Sequence, residues 1–456
     1  ITFIVFYLPF MRRWQSEVLL ISSMVFYAYN SPQLVLVLLF SLLLNSISAY
    51  YLLNAIFWKK EILRVSIFAN IILLCFYKYT KLIVSTFLPF YIGSDFVEDI
   101  ILPIGISFYT FQGISLLLDT YNNSKSESKE SPIRSTPYAF FINVSFYISF
   151  FPQLIAGPIV KSRDFLPQIK LKKIGEVNYE NVVKLLILGF FFKMFVADNL
   201  KDITSYLHLG YPVFFSSFSL VLLIYAYAIQ IFADFAGYSI IAIGLAQLFG
   251  YKLPINFNYP YVSISFFEFW KRWHITLYAW FNQYVYNPFV IAFRDYGKKS
   301  VLIGLLIVFS LSGIWHGGSW NFLFWGVFHG MVLIFEFIFK SLFGKVVVKN
   351  TFYKLLNILF VFIVVCLGYT IFLFEDLEEL IFFYEKLFSN YGIYESHLRF
   401  EYYIFFYTLP IVFYHLLYLY GREKINNNIK SVLYGFMLFM IISNSGFEGE
   451  FIYFQF

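Results

Sequence analysis

"SGIWHGGSWNFLFWGVFHG", residues 312–330, lies inside a run from Ser300 to Phe335 that contains no Asp, Glu, Lys or Arg. A stretch this apolar belongs in lipid or in packed protein, yet it holds two of the chain's six histidines and five glycines. Lys298 and Lys299 set the start of its first arm at the cytoplasmic face, and the spacing predicts a helix over 300–314. Such a helix is about 22 Å long, short of the ~30 Å hydrocarbon core. The arm would then stop before crossing, with Gly313, Gly317 and Gly318 allowing a break where backbones turn and pack closely. That puts His316 inside the membrane. An ionisable group at such a depth is a functional candidate by default. A desolvated imidazole stays neutral and keeps one lone pair, as a general base for a hydroxyl or thiol requires. A hydrogen-bonded core histidine that only ties helices together has the same spacing, and His329, followed by Gly330, reads as such a supporting residue.

The rest of the chain fits the membrane setting. Its 456 residues are 60% hydrophobic, 24% aromatic and only 13% charged, with mean hydropathy +0.71. Soluble domains carry about 25% charged residues, so this is a polytopic membrane protein built as one helical bundle. Cys75 and Cys366 both fall in apolar spans and read as reduced core residues. No signal peptide is visible, and the first residue is not Met. The net charge of +6 reports orientation in lipid before it reports nucleic acid. There is no metal-ligand spacing and no nucleotide-binding glycine loop.

Val18 to Trp58 is uncharged and broken by "YNSPQ", a turn signal, which predicts two spans joined by a hairpin. Further spans are expected at 62–80, 101–119, 136–153, 182–197, 213–233, 300–315, 319–339, 355–374, 402–420 and 431–446. With a first span ending near Pro9, this makes about 11–13 membrane segments. Basic clusters at Arg12–Arg13, 59–64, 161–184, 294–299, 340–354 and 421–430 assign one side to the cytoplasm. The loops 87–100, with Asp95, Glu98 and Asp99, and 375–401 are acidic and belong opposite. Loops 122–135 and 161–184 both look cytoplasmic although one apolar segment separates them, so 136–156 is expected to be re-entrant or bent at Pro152. Non-helical backbone at membrane depth occurs only where protein or a wet cavity surrounds it.

A second constellation is "SFFEFWKRWHITLYAWFNQYVYNPF", residues 265–289. Read as one helix ended by Pro288, it puts Glu268, Arg272 and Thr276 on one stripe, with a Glu268–Arg272 pair. Trp270, His274 and Tyr278 fall on another. A basic, aromatic helix of this kind suits an interfacial anchor, which leaves His274 unexplained.

Taken with "ISFYTFQGISLLLDTY" (106–121), "FFPQLIAGPIVKSRDFLPQI" (150–169), "LGFFFKMFVADNL" (188–200), "QIFADFAGYSIIAIGLAQLFGYKLPINFNYPY" (230–261), "EFWKRWHITL" (268–277) and the terminal "FIYFQF" (451–456), these motifs resemble the membrane-bound O-acyltransferase (MBOAT) family. The likeness is to its bacterial alginate and polysaccharide O-acetylation branch. It spans almost the whole chain, a single membrane-embedded domain (1–456) with a motif-bearing core at 100–335. The resemblance implies an all-α bundle around a funnel or tunnel, with re-entrant or broken helices. It also implies catalytic roles for His316 and His274, supported by His329, Trp273, Trp315 and Gly317. Where the branch usually has an acidic residue after "GYS", this chain has Ile240, and residues 280–290 read "WFNQYVYNPFV", changes that bear on the acceptor.

The expected activity is acetyl transfer from cytoplasmic acetyl-CoA, a donor substrate rather than a bound cofactor. The acceptor would be an extracytoplasmic polysaccharide such as alginate or peptidoglycan, reached directly or through a periplasmic SGNH-type transferase, in the bacterial cytoplasmic (inner) membrane. Lys271, Arg272, Arg294, Lys298 and Lys299 are candidate contacts for CoA phosphates, though the positive-inside rule alone also accounts for them. No nucleic-acid partner is expected. D-alanyl or lipid acyl transfer are alternatives within the family. A glycan transporter is the alternative of another class, since broken helices and midplane polar groups suit one equally.

Overall fold

The computed structural model describes residues 1–30, 32–88, 100–124, 136–208, 211–344, 350–374, 376–391, 398–421 and 426–446. Much of the acidic loop 87–100 (with Asp95, Glu98 and Asp99) and of the loop 122–135 therefore lies outside the described residues. So do parts of the loops 340–354, 375–401 and 421–430, and the terminal "FIYFQF".

The described residues are helical, with no strand among them. Seven of their helices are long and apolar enough to cross a membrane: Pro32–Asn54, Lys59–Phe87, Ser217–Leu248, Lys298–His316, Trp320–Phe343, Thr351–Leu373 and Phe400–Tyr420. Asn427–Ser443 is apolar but shorter. These helices turn large apolar side chains outward. Along Thr351–Leu373, Leu355, Leu359 and Ile363 are exposed, while Val361, Val365 and Tyr369 are buried. Only a hydrocarbon solvent makes that arrangement stable. The chain is an all-α, multi-pass membrane protein.

The chain divides into two compact units, Ile1–Leu186 with Ile241–Pro254, and Ile187–Ile240 with Ile255–Phe456. In the first, polar side chains join helices that apolar contact alone cannot hold together in lipid. The Asn45 and Asn70 amides bond each other reciprocally at 3.1 and 3.0 Å, and Ser66 donates to Ser48 at 2.7 Å. The expected bend near Pro152 is present. Helix Pro137–Ser149 ends at Phe150, and the short helix Phe151–Leu154 starts afresh with Pro152 in its first turn. The return is tied down by the Tyr147 hydroxyl, which donates to the Val160 carbonyl at 2.7 Å. Cys366 is buried as expected, but Cys75 is only half-buried; both are free thiols.

In the second unit, Lys298–His316 and Trp320–Phe343 form a tight hairpin. A Cβ at Gly313 would stand 2.1 Å from the Phe322 carbonyl oxygen, and one at Gly326 would stand 2.2 Å from that of Phe309. Glycine is what lets the two backbones meet. The first arm is longer than the sequence predicts. It runs 19 residues, from Lys298 to His316 itself, about 28 Å, because it starts two residues earlier than 300 and continues past 314 to the break at Gly317. Two of the quoted motifs also meet in this unit: Lys193 Nζ lies 2.7 Å from Asp198 Oδ1 and 2.9 Å from Asp234 Oδ1.

Residues 265–289 are not one helix. They form Phe266–Arg272, a break at Trp273 and His274, then Ile275–Phe281, a π-helical turn at Asn282–Tyr286, and Asn287–Ala292. Pro288 sits in the first turn of the last piece and does not end the segment. The break has a tertiary cause. Strand-like pairing with residues 256–258 takes the backbone bonds that a continuous helix would use: Asn258 N donates to Arg272 O, and Ile275 N to Asn256 O, both at 2.9 Å. His274 therefore leaves the Trp270/Tyr278 stripe, and Thr276 leaves the Glu268/Arg272 stripe. The Glu268–Arg272 pair itself forms, at 2.8 Å.

Candidate functional site

His316 is the last residue of its helix, and Gly317 after it is extended. A Cβ at Gly317 would fall 1.9 Å from the Phe322 ring, so only glycine lets the chain turn there. The His316 ring stands edge-on to Trp315, Trp325 and Phe372, with centroids 4.9, 5.1 and 5.4 Å away. It is 5% exposed.

His274 arrives from the break between two short helices. Its backbone is left-handed, φ 43° and ψ 52°, a conformation uncommon outside glycine that holds only where the surroundings enforce it. Its ring is 1% exposed, edge-on to Phe235 at 4.7 Å, with Trp315 at 6.2 Å and His316 at 6.5 Å. Burial lowers its pKa from the ordinary imidazole value and favours the neutral ring. His274 Nδ1 lies 3.0 Å from Asn256 Oδ1.

His274, His316 and Trp315 thus come together. His329 is a step removed. It is buried, edge-on to Trp325 at 4.9 Å and to Trp270 at 5.0 Å, so Trp325 lies in contact with both His316 and His329. Gly368 makes room for it, since a Cβ there would stand 2.4 Å from His329 Nε2. Trp273 packs its indole on Phe269 and Phe257. It walls the segment that carries His274.

Of the five basic candidates, one is engaged within the protein and four are exposed. Arg272 is committed internally, to Glu268, to the Asn258 carbonyl at 3.1 Å and to the Tyr418 hydroxyl at 3.2 Å. Lys271, Arg294, Lys298 and Lys299 are exposed, and Lys298 donates to Ser341 Oγ at 2.6 Å. Lys298 and Lys299 sit at the opposite end of their helix from His316, about 27 Å along the axis.

Three participants were invisible in the sequence as functional residues. Asn256 bonds His274, and its Oδ1 also accepts from Thr276 Oγ1 at 2.9 Å and Thr276 N at 3.3 Å. Ser239 Oγ lies 3.2 Å from Asn256 Nδ2. Glu336, the first charge after the apolar run, accepts from the backbone of Phe266 at 2.7 Å and Phe267 at 3.2 Å. It caps the helix that leads into Trp273 and His274.

Residues 21–376 match the model of the MBOAT, membrane-bound O-acyltransferase family. The chain is 34% identical over 339 residues to the peptidoglycan O-acetyltransferase of Helicobacter pylori, covering 69% of this chain and 63% of that protein. It is 33% identical to the "probable alginate O-acetylase AlgI" of Azotobacter vinelandii, over 64% of this chain and 55% of the relative. With the teichoic acid D-alanyltransferase of Bacillus subtilis it shares 29% identity over 59% of this chain and 68% of the relative. The chain therefore spans less than two thirds of the first two relatives' own length. A match across most of the chain, enclosing both histidine motifs, makes it a member of the membrane-bound O-acyltransferase family.

Proposed function

We propose that the protein is an acyltransferase that moves an acetyl group from cytoplasmic acetyl-CoA toward a hydroxyl of an extracytoplasmic cell-surface glycan, in the bacterial cytoplasmic membrane. The observation that carries this reading is the meeting of His274 and His316, from separate segments, in one buried cluster of aromatic side chains. The peptidoglycan and alginate relatives favour O-acetylation; in our reading the group reaches the glycan directly or through an SGNH-type periplasmic transferase.

In the reaction, neutral His316 takes the proton of the attacking hydroxyl as its oxygen bonds to the thioester carbonyl carbon. The carbon–sulfur bond then breaks, and the CoA thiolate leaves with the proton returned from the imidazolium. General-base help of this kind is worth about 10²–10⁴ in rate. The oxyanion needs a donor, which the Trp273 indole or a backbone N–H of the glycine turn can supply, and such stabilisation is larger where water is excluded. The exposed lysines and Arg294 attract the CoA phosphates as point charges.

The test is transfer of labelled acetyl from acetyl-CoA in proteoliposomes, with peptidoglycan fragments or alginate, and with the partner transferase, offered on the far side. Label appearing on a glycan or on the partner, and lost in His316→Ala, supports the reading. Glycan movement without acetyl transfer returns the protein to the transporter class. The teichoic acid relative favours D-alanyl transfer as the second reading, which the same assay separates by offering a D-alanyl donor.

A further inference from the structure

The hydrogen bonds around Asn256 decide which nitrogen of His274 carries the proton. A backbone N–H can only donate. The side-chain atom of Asn256 that faces Thr276 N must therefore be the carbonyl oxygen, Oδ1, with the amide turned so that Nδ2 donates to Ser239 Oγ. The reverse orientation would set an NH₂ against an N–H. His274 Nδ1 lies 3.0 Å from that same oxygen, and an oxygen without hydrogens only accepts, so Nδ1 must donate. In the neutral ring the other nitrogen, Nε2, then holds the lone pair. Asn256 and His274 are both 1% exposed, and water is a poor substitute for these bonds in such a setting. Backbone bonds between residues 256–258 and 272–275 hold the two side chains in register.

We infer that Asn256 is a positioning residue, which fixes His274 in its Nδ1–H tautomer and makes Nε2 a hydrogen-bond acceptor at the site. A neutral ring of this tautomer has no proton at Nε2 to offer an oxyanion. The oxyanion role falls to the Trp273 indole or a backbone N–H, and His274 becomes a second acceptor beside His316, able to hold the attacking hydroxyl by its proton. Its catalytic consequence rests on the acyl-transfer reading; the tautomer does not.

The full chain, with ¹⁵N,¹³C-histidine and reconstituted in lipid, tests this by solid-state NMR, with His274→Gln identifying the residue's signals by difference. The expected wild-type signature is Nδ1–H. In Asn256→Ala it should move to Nε2–H or to a mixture, and kcat for acetyl transfer should fall by about 10² or more with KM little changed. Asn256→Asp keeps an acceptor oxygen and should keep the Nδ1–H bond, which decides the matter should the alanine variant fail to fold. An Nε2–H signature in the wild type, or an unchanged tautomer in Asn256→Ala, overturns the assignment. Should the wild type show Nδ1–H yet transfer no acetyl group, the tautomer assignment stands and the acyl-transfer reading falls.

Discussion

His274 and His316 stand with ring centroids 6.5 Å apart, although one comes from a break between short helices and the other from the end of a long one. At that spacing one reacting group placed between the rings can meet both. Residues that act on one group are not additive. His316→Ala and His274→Ala should each lower acetyl transfer by about 10²–10⁴, and the double variant should be little worse than the poorer single one. Steady-state rates on the four proteins check this; multiplicative losses would mean independent roles.

Gly317→Ala should be among the most damaging single-methyl changes in the unit. Its Cβ would meet the Phe322 ring at 1.9 Å, and overpacking of this kind costs about 1–3 kcal/mol. Gly175→Ala, where a Cβ meets nothing within 4 Å, is the control. Thermal unfolding in detergent should separate the two, and Phe322→Ala should partly rescue Gly317→Ala.

Glu336 caps the helix that ends at Trp273. Glu336→Leu leaves the buried Phe266 N–H and the part-buried Phe267 N–H without their acceptor, and loss of the buried one alone costs about 1–3 kcal/mol. Glu336→Gln keeps an acceptor oxygen and should sit between the wild type and Glu336→Leu in melting temperature. Activity should follow the same order, because the cap holds the approach to His274.

Arg272 and Lys271 are neighbours with different expected phenotypes. Arg272→Ala breaks contacts to Glu268, Asn258 and Tyr418, so it should lower stability and leave the salt dependence of KM unchanged. Lys271→Ala should leave stability intact and raise KM for acetyl-CoA, with a weaker dependence on ionic strength. Equal stability losses in both would contradict this division.

Lys193 pairs with two carboxylates at once. Lys193→Met takes the shared ammonium from Asp198 and Asp234, and removing one partner of a buried pair costs about 3–5 kcal/mol. The triple change that also makes both aspartates Asn should recover much of the loss, as read by the fraction of protein that stays monodisperse on heating.

Much of this was legible in the sequence, and what was not has a common cause. The charge-free run around His316 exposed the hairpin because its glycines and histidines are local signals. The bend at Pro152 followed from charge parity between loops. The break at His274 did not, because residues 265–289 carry good helical periodicity and the competing bonds come from outside them, from residues 256–258. Asn256 was hidden for the same reason: an asparagine in "KLPINFNYPY" carries no mark of the imidazole it will hold. Arg272 is the reverse case, since its charge suggested a ligand contact and its internal bonds to Glu268, Asn258 and Tyr418 could not be read from the sequence.

The positive φ of His274 also limits what selection can install there. Of the twenty side chains, glycine, asparagine and aspartate, with histidine close behind, tolerate that backbone region, while β-branched and bulky residues strain it. Glycine brings no functional group. Divergent descendants that exchange this imidazole without redrawing the loop are therefore steered toward an amide or a carboxyl, and the chemistry open to them was narrowed by a torsion angle before any substrate was chosen.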